Sequence, residues 1–279
     1  MRFLGNLLLF FESEMTTPTA YGWFHLMWFA LVILASVALC VRFHDCSDRT
    51  FRRIALILWV VMAVLELYKQ LVYSLEYENG ILTWDYQWYA FPYQFCSTPL
   101  YILPFLAFLP DGARRDRFIG YMAFFSFFGG VAVMFYPGDV FIRMIGINVQ
   151  SMIHHGIQVV MGVFCAVWAR RRLNLRYYLR SAPVFVTLFG IAIVMNYAIY
   201  AILQACGIDE TFSMFYVSPY FPSHLPILSS IYPLVPFPVF AAIYCIGFLL
   251  IGLILYYAQF GINKLVDTVH ARRASARTV

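Results

Sequence analysis

Apolar residues run almost unbroken through Tyr21–Val41, Arg53–Leu75, Tyr93–Leu109, Phe118–Phe135, Val149–Ala169, Ala182–Cys206 and Pro238–Phe260. Most of these runs reach the roughly 20 residues an α-helix needs to cross a hydrocarbon core about 30 Å thick. A backbone in lipid must satisfy its own hydrogen bonds, and a helix does so within one segment. The pattern therefore predicts an all-α, polytopic membrane helix bundle of about seven transmembrane helices. The third run is short and carries Pro99 and Pro104. It reads as a kinked helix packed inside the bundle, where neighbours supply donors to the carbonyls that proline leaves free. Gly129 and Gly130 in the fourth run let helices approach closely.

The polar connections set a topology. Arg42, Arg49, Arg52 and Arg53 fall on one side, followed by Arg114, Arg115 and Arg117. The same side receives Arg170, Arg171, Arg172, Arg176 and Arg180, then Lys264, Arg272, Arg273 and Arg277. The opposite side holds only Arg2 and Arg143 but many carboxylates: Glu12, Glu14, Glu76, Glu78, Asp85, Asp139, Asp209 and Glu210. Basic loops stay cytoplasmic, which predicts an N-terminus outside and a C-terminus inside. The implied location is the cytoplasmic (plasma) membrane, crossed several times.

Composition agrees. Hydrophobic residues make up 62% of the 279 and charged residues 12%, with a mean hydropathy of +0.75. Soluble chains carry roughly 25% charged residues, so lipid is the solvent for much of this surface. The net charge of +5 sits in topology-setting loops and implies no nucleic-acid partner. Residues 1–18 read as a short interfacial segment, 19–260 as the transmembrane domain and 261–279 as a basic cytoplasmic tail, frayed or lying on anionic headgroups. The outer connection 207–237 holds five prolines and many aromatics without Lys or Arg, and is expected to fold over the bundle mouth. The six cysteines show no metal-ligand spacing, so no metal or cofactor is expected.

Depth then becomes informative, at about 1.5 Å per helical residue. His25, Glu66, Lys69, Gln94, Cys96, Thr98, His154, His155, Gln158 and Asn196 all fall in the outer halves of their runs. Polar groups in a membrane need a partner or a wet cavity, so a shared outward pocket is expected. Each also has a plain structural reading. Glu66 and Lys69 make a buried ion pair three residues apart, while His25, Gln94, Gln158 and Asn196 serve as interhelical hydrogen-bonders. The adjacent His154 and His155 suit general-base work, and Cys96 beside an imidazole suits nucleophilic attack. The ten residues divide into a catalytic set (His155, Cys96, His154) and a substrate-binding set.

The chain resembles the YwaF family of seven-helix membrane proteins. The resemblance rests on His25, the stretch Phe91-Pro92-Tyr93-Gln94-Phe95-Cys96-Ser97-Thr98-Pro99-Leu100-Tyr101, Ile153-His154-His155-Gly156 and Met195-Asn196-Tyr197. It continues through Met214-Phe215-Tyr216-Val217-Ser218-Pro219-Tyr220 and Pro236-Phe237-Pro238. More distantly, the chain is similar to eukaryotic membrane proteins that transfer or hydrolyse fatty acyl groups with a Cys or Thr on one helix and a His on another. That likeness implies His155 as base. The eukaryotic transferases carry cysteine directly after a proline, where this chain has Tyr93, and Cys96 lies three residues on. The expected function is action on lipid acyl groups, with membrane lipid as partner. The alternative is a non-catalytic transporter or receptor that binds a small polar ligand or a proton, and a purely structural subunit stands third.

Overall fold

A computed structural model describes residues 2–138 and 140–276. Asp139 and Arg277 lie outside the described residues, as do the side chains of Arg2, Arg272 and Arg273. The helices are α1 (Arg2–Phe11), α2 (Trp23–Phe43), α3 (Asp48–Ser74), α4 (Pro99–Phe108), α5 (Ala113–Tyr121) and α6 (Phe127–Phe135). They continue with α7 (Ile145–Trp168), α8 (Leu175–Ala205), the single turn α9 (Leu228–Ile231) and α10 (Phe237–Ala276). A π-helical turn over Met122–Ser126 joins α5 and α6 into one span. Among the described residues, six helices are long and apolar enough to cross a membrane. The third apolar run supplies only the shorter helical stretch Phe95–Phe108, so the described residues form an all-α bundle of six full-length helices and one half-length helix.

The short helix carries a proline in its interior. Pro104 has no N–H to give the carbonyl of Leu100, and Trp59 of α3 donates its indole Nε1–H to that oxygen at 2.9 Å. At the other end of α4, Arg52 donates to the last-turn carbonyls of Ala107 at 2.6 Å and Phe108 at 3.1 Å. Both repairs come from α3, which packs along α4. The π-turn is supported similarly, by Gln259 of α10 donating to Ala123 O at 2.9 Å.

Two features depart from the hydropathy reading. Residues after Ser74 form a hairpin, β1 (Leu75–Glu78) antiparallel to β2 (Ile81–Trp84). Asn79 and Gly80 turn it with φ of 52° and 82°, the left-handed pair that a two-residue hairpin requires. The basic tail, expected to be frayed or to lie on headgroups, is the helical continuation of α10 as far as Ala276.

The core is aromatic. Phe125 stacks on Phe185 at 5.1 Å and Phe185 on Phe248 at 5.6 Å, which ties the π-turn, α8 and α10 together. Phe95 meets Phe248 edge-on at 5.0 Å and so fixes the turn before α4 to the same core. At the arginine-rich end, the fully buried Arg115 pairs with Asp48 and with Asp111, the latter at 2.8 Å. Its guanidinium also lies over Phe51 and Trp168. Arg172 reaches Asp111 at 2.9 Å, and Tyr177 donates to Asp116 at 2.6 Å. This network knits α3, the α4–α5 connection, α5 and α8 at the arginine-rich end.

Candidate functional site

A cavity of about 190 Å³ opens at the other end of the bundle. Its walls come from α3 (Glu66, Lys69, Tyr73), the connection before α4 (Tyr89, Gln94, Cys96, Ser97) and α7 (Gln150, Ser151, His154, His155). Tyr216 from the long connection before α10, Val140 and Ile142 from the α6–α7 connection, and Ile147 also line it. The first turn of α7 is anchored by strand-like pairing with the N-terminal segment. Met15 N–H donates to Arg143 O at 2.7 Å and Ile145 N–H to Ser13 O at 3.0 Å.

A backbone carbonyl only accepts, so the ring nitrogen of each histidine that faces one is the donor. His155 donates Nδ1–H to Ser151 O at 2.7 Å, and its Nε2 is buried with no partner among the described residues. His154 donates Nε2–H to Cys96 O at 2.9 Å, and its Nδ1 is likewise buried and unpartnered. Gln158, one turn further along α7, donates to the same Cys96 carbonyl at 2.7 Å.

Glu66 and Lys69 form an ion pair of 2.7 Å, and Gln70 donates to Glu66 Oε1 and to Ala90 O, each at 2.8 Å. Oε2 of Glu66 is buried without a partner among the described residues. Gln94 donates to Ser213 O at 2.9 Å, while its own Oε1 is buried and unpaired. The side chain of Gln150, 4% exposed, makes no hydrogen bond among the described residues.

Of the sequence-predicted residues, Glu66, Lys69, Gln94, Cys96, His154 and His155 line this one cavity. His25, Thr98, Gln158 and Asn196 do not line it. His25 accepts from Tyr21 N–H at Nδ1 (2.9 Å) and donates from Nε2 to Met134 O (2.8 Å), so both ring nitrogens are used. The Thr98 hydroxyl bonds Phe95 O at 2.7 Å and Tyr121 OH at 2.8 Å. Asn196 donates to Met214 O (3.0 Å) and Val217 O (2.7 Å) and accepts from Met214 N–H (2.7 Å). Both of its amide protons are thereby used, and it grips a turn in which Phe215 and Tyr216 have φ of 58° and 53°. Non-glycine residues avoid that left-handed region, so this turn stores strain that Asn196 holds.

Gln150, Tyr73 and Tyr89 were not anticipated. The first two had a legible signal: Gln150 lies one turn before His154, and Tyr73 one turn after Lys69. Tyr89 sits in a short 3₁₀ turn with no helical spacing to expose it.

Fold and cavity together define a polytopic, helix-bundle membrane protein that presents a small polar chamber at one end. The chain belongs to the TMEM164 family, whose model matches residues 20–257 and so takes in every full-length span start and the whole cavity lining. Neither a curated protein nor a solved structure gives a significant match.

Proposed function

We propose that this chain is a membrane-embedded enzyme that transfers or hydrolyses a lipid acyl group, with Cys96 as nucleophile and His155 as its base. The observation that carries the reading is the buried, unpartnered Nε2 of His155 on a cavity wall shared with Cys96. Its Nδ1–H is already tied to Ser151 O, so the ring is oriented and its tautomer fixed before substrate arrives. The distant likeness to eukaryotic membrane proteins that transfer or hydrolyse fatty acyl groups supports the same reading.

In this mechanism Nε2 takes the Sγ proton as sulfur adds to the ester carbonyl carbon. The tetrahedral oxyanion faces Lys69, Gln150 and the second amide proton of Gln94, all on the cavity walls. Collapse breaks the C–O bond, and the imidazolium returns its proton to the leaving alcohol. A second alcohol, or water, then gives its proton to Nε2 and attacks the thioester, which restores the thiol. Sites that engulf a small molecule measure roughly 300–1,000 Å³. The 190 Å³ here suits a reacting headgroup whose chains stay among the surrounding helices and lipid. The arginine distribution supports a cytoplasmic arginine-rich end and a cavity facing the opposite side, in the plasma membrane. Protease protection of a C-terminal tag in sealed inside-out vesicles would contradict that orientation.

The test is labelling of purified protein in lipid nanodiscs with a thiol-directed acyl-mimic probe. Labelling of the Cys96 peptide that disappears in His155→Ala is the expected result; equal labelling in both removes the base. A second reading is favoured by the unpaired Glu66 Oε2, which suits proton or cation binding in a carrier. Solute uptake abolished by Glu66→Gln, without Cys96 labelling, would establish it instead.

A further inference from the structure

The two adjacent histidines have opposite relations to Cys96. His155 turns its bonded nitrogen back to its own helix, to Ser151 O. His154 turns its N–H across to another element and binds the main-chain carbonyl of Cys96 itself. Gln158 binds that same oxygen, so both lone pairs of one carbonyl are taken by donors one turn apart on α7. Such double donation is not needed for burial alone, since one partner satisfies a carbonyl.

The surroundings hold this grip rigidly. A Cβ at Gly129 would come within 3.1 Å of Gln158 Oε1 and 2.9 Å of the Phe95 ring. A Cβ at Gly130 would come within 2.8 Å of both Gln158 Cβ and His155 O. The two glycines thus let α6 press Gln158 and the backbone of His155 against the turn that carries Cys96. His154 Nε2 is then not free to act on a substrate, and Gln158 is fully buried and does not line the cavity.

We infer that His154 and Gln158 are a positioning pair: by holding the Cys96 carbonyl to α7, they fix the thiol relative to His155, the neighbouring residue on that helix. The inference rests on the proposed Cys96–His155 chemistry and adds the device that aligns it. Nucleophile and base sit on separate elements, 59 positions apart in sequence, and no covalent geometry sets their distance. A hydrogen bond to the nucleophile's own backbone is the shortest link between them that leaves the thiol free.

The imidazole of His154 acts here only as an N–H donor at Nε2, a position that a glutamine amide nitrogen reproduces. The full-length protein in nanodiscs is labelled with the thiol-directed acyl-mimic probe, and the rate at the Cys96 peptide is read by mass spectrometry. His154→Gln is expected to label within about two-fold of wild type. His154→Phe and Gln158→Met, which lack the donor, are expected to label roughly ten- to hundred-fold more slowly, the scale of an ångström-level misplacement. His155→Gln is expected to lose labelling, with no rescue by the amide. Melting temperatures recorded in parallel separate positioning from folding, because a purely structural role lowers melting without this pattern of rates. Loss of labelling in His154→Gln equal to that in His154→Phe would overturn the inference while leaving the Cys96–His155 reading intact. Full labelling in His155→Gln would overturn both.

Discussion

Asn196→Ala removes a clamp whose contribution follows from the structure. Three hydrogen bonds of 2.7–3.0 Å join this fully buried amide to Met214 N–H, Met214 O and Val217 O. Truncation leaves three backbone groups without their donor or acceptor beneath a buried turn, and each such group costs about 1–3 kcal/mol. Water entering the vacated space recovers part of this, so the net loss is about 3–5 kcal/mol. The strain in Phe215 and Tyr216, about 1–2 kcal/mol per residue, is released when the turn lets go, and this favours local opening over global unfolding. Hydrogen exchange by mass spectrometry in nanodiscs should therefore show residues 207–236 deprotected while the spans stay protected. Asn196→Asp sharpens the test. It keeps an acceptor for Met214 N–H but turns oxygen lone pairs toward two carbonyls, so it should be at least as damaging as alanine. Wild-type protection of 207–236 in Asn196→Ala, or an aspartate milder than alanine, would refute the reasoning.

Three further outcomes follow from the packing. Gly130→Ala places a methyl 2.8 Å from Gln158 Cβ and His155 O, so α6 and α7 must separate, at a cost of about 1–3 kcal/mol in thermal stability. Arg115→Met removes a buried guanidinium that holds Asp48 and Asp111 between Phe51 and Trp168. Because both carboxylates are partly exposed and stay hydrated, the loss in a thermal melt should sit near 2–3 kcal/mol, below that of a fully buried pair. Burial raises the Asp111 carboxyl, but hydrogen bonds and charge from Arg172 and Arg115 outweigh it and hold the group below its ordinary value. Its contribution is therefore complete above the unfolded carboxylate range near pH ~4 and is lost as pH falls through the lower folded value. Acid melting should be shallower in Asp111→Asn than in wild type.

The long spans were legible because lipid demands continuous apolar helix, a one-dimensional property of sequence. The third span falls short of full length because the 3₁₀ turn Phe95–Ser97 and Pro99 at the first position of α4 take up its first part. The Asn79-Gly80 turn was a readable hairpin signal, although its strands are only four residues each. Depth assigned Glu66, Lys69, Gln94, Cys96, His154 and His155 to one level, and these six line the cavity. His25, Thr98, Gln158 and Asn196 occupy similar depths but serve the carbonyls of Met134, Phe95, Cys96 and Met214. Sequence reports depth but not which irregular backbone needs a donor, and irregular backbone in a membrane always needs one.

The most direct test of the account is to mix the nanodisc-embedded protein with a phospholipid carrying an isotopically labelled acyl chain and analyse the Cys96 peptide over time. The account predicts a labelled acyl adduct on Cys96 that hydroxylamine removes, and that fails to form in His155→Ala despite unchanged melting. A wild-type protein that never carries the label at Cys96 while the lipid is consumed, or an adduct equally abundant without His155, would contradict it.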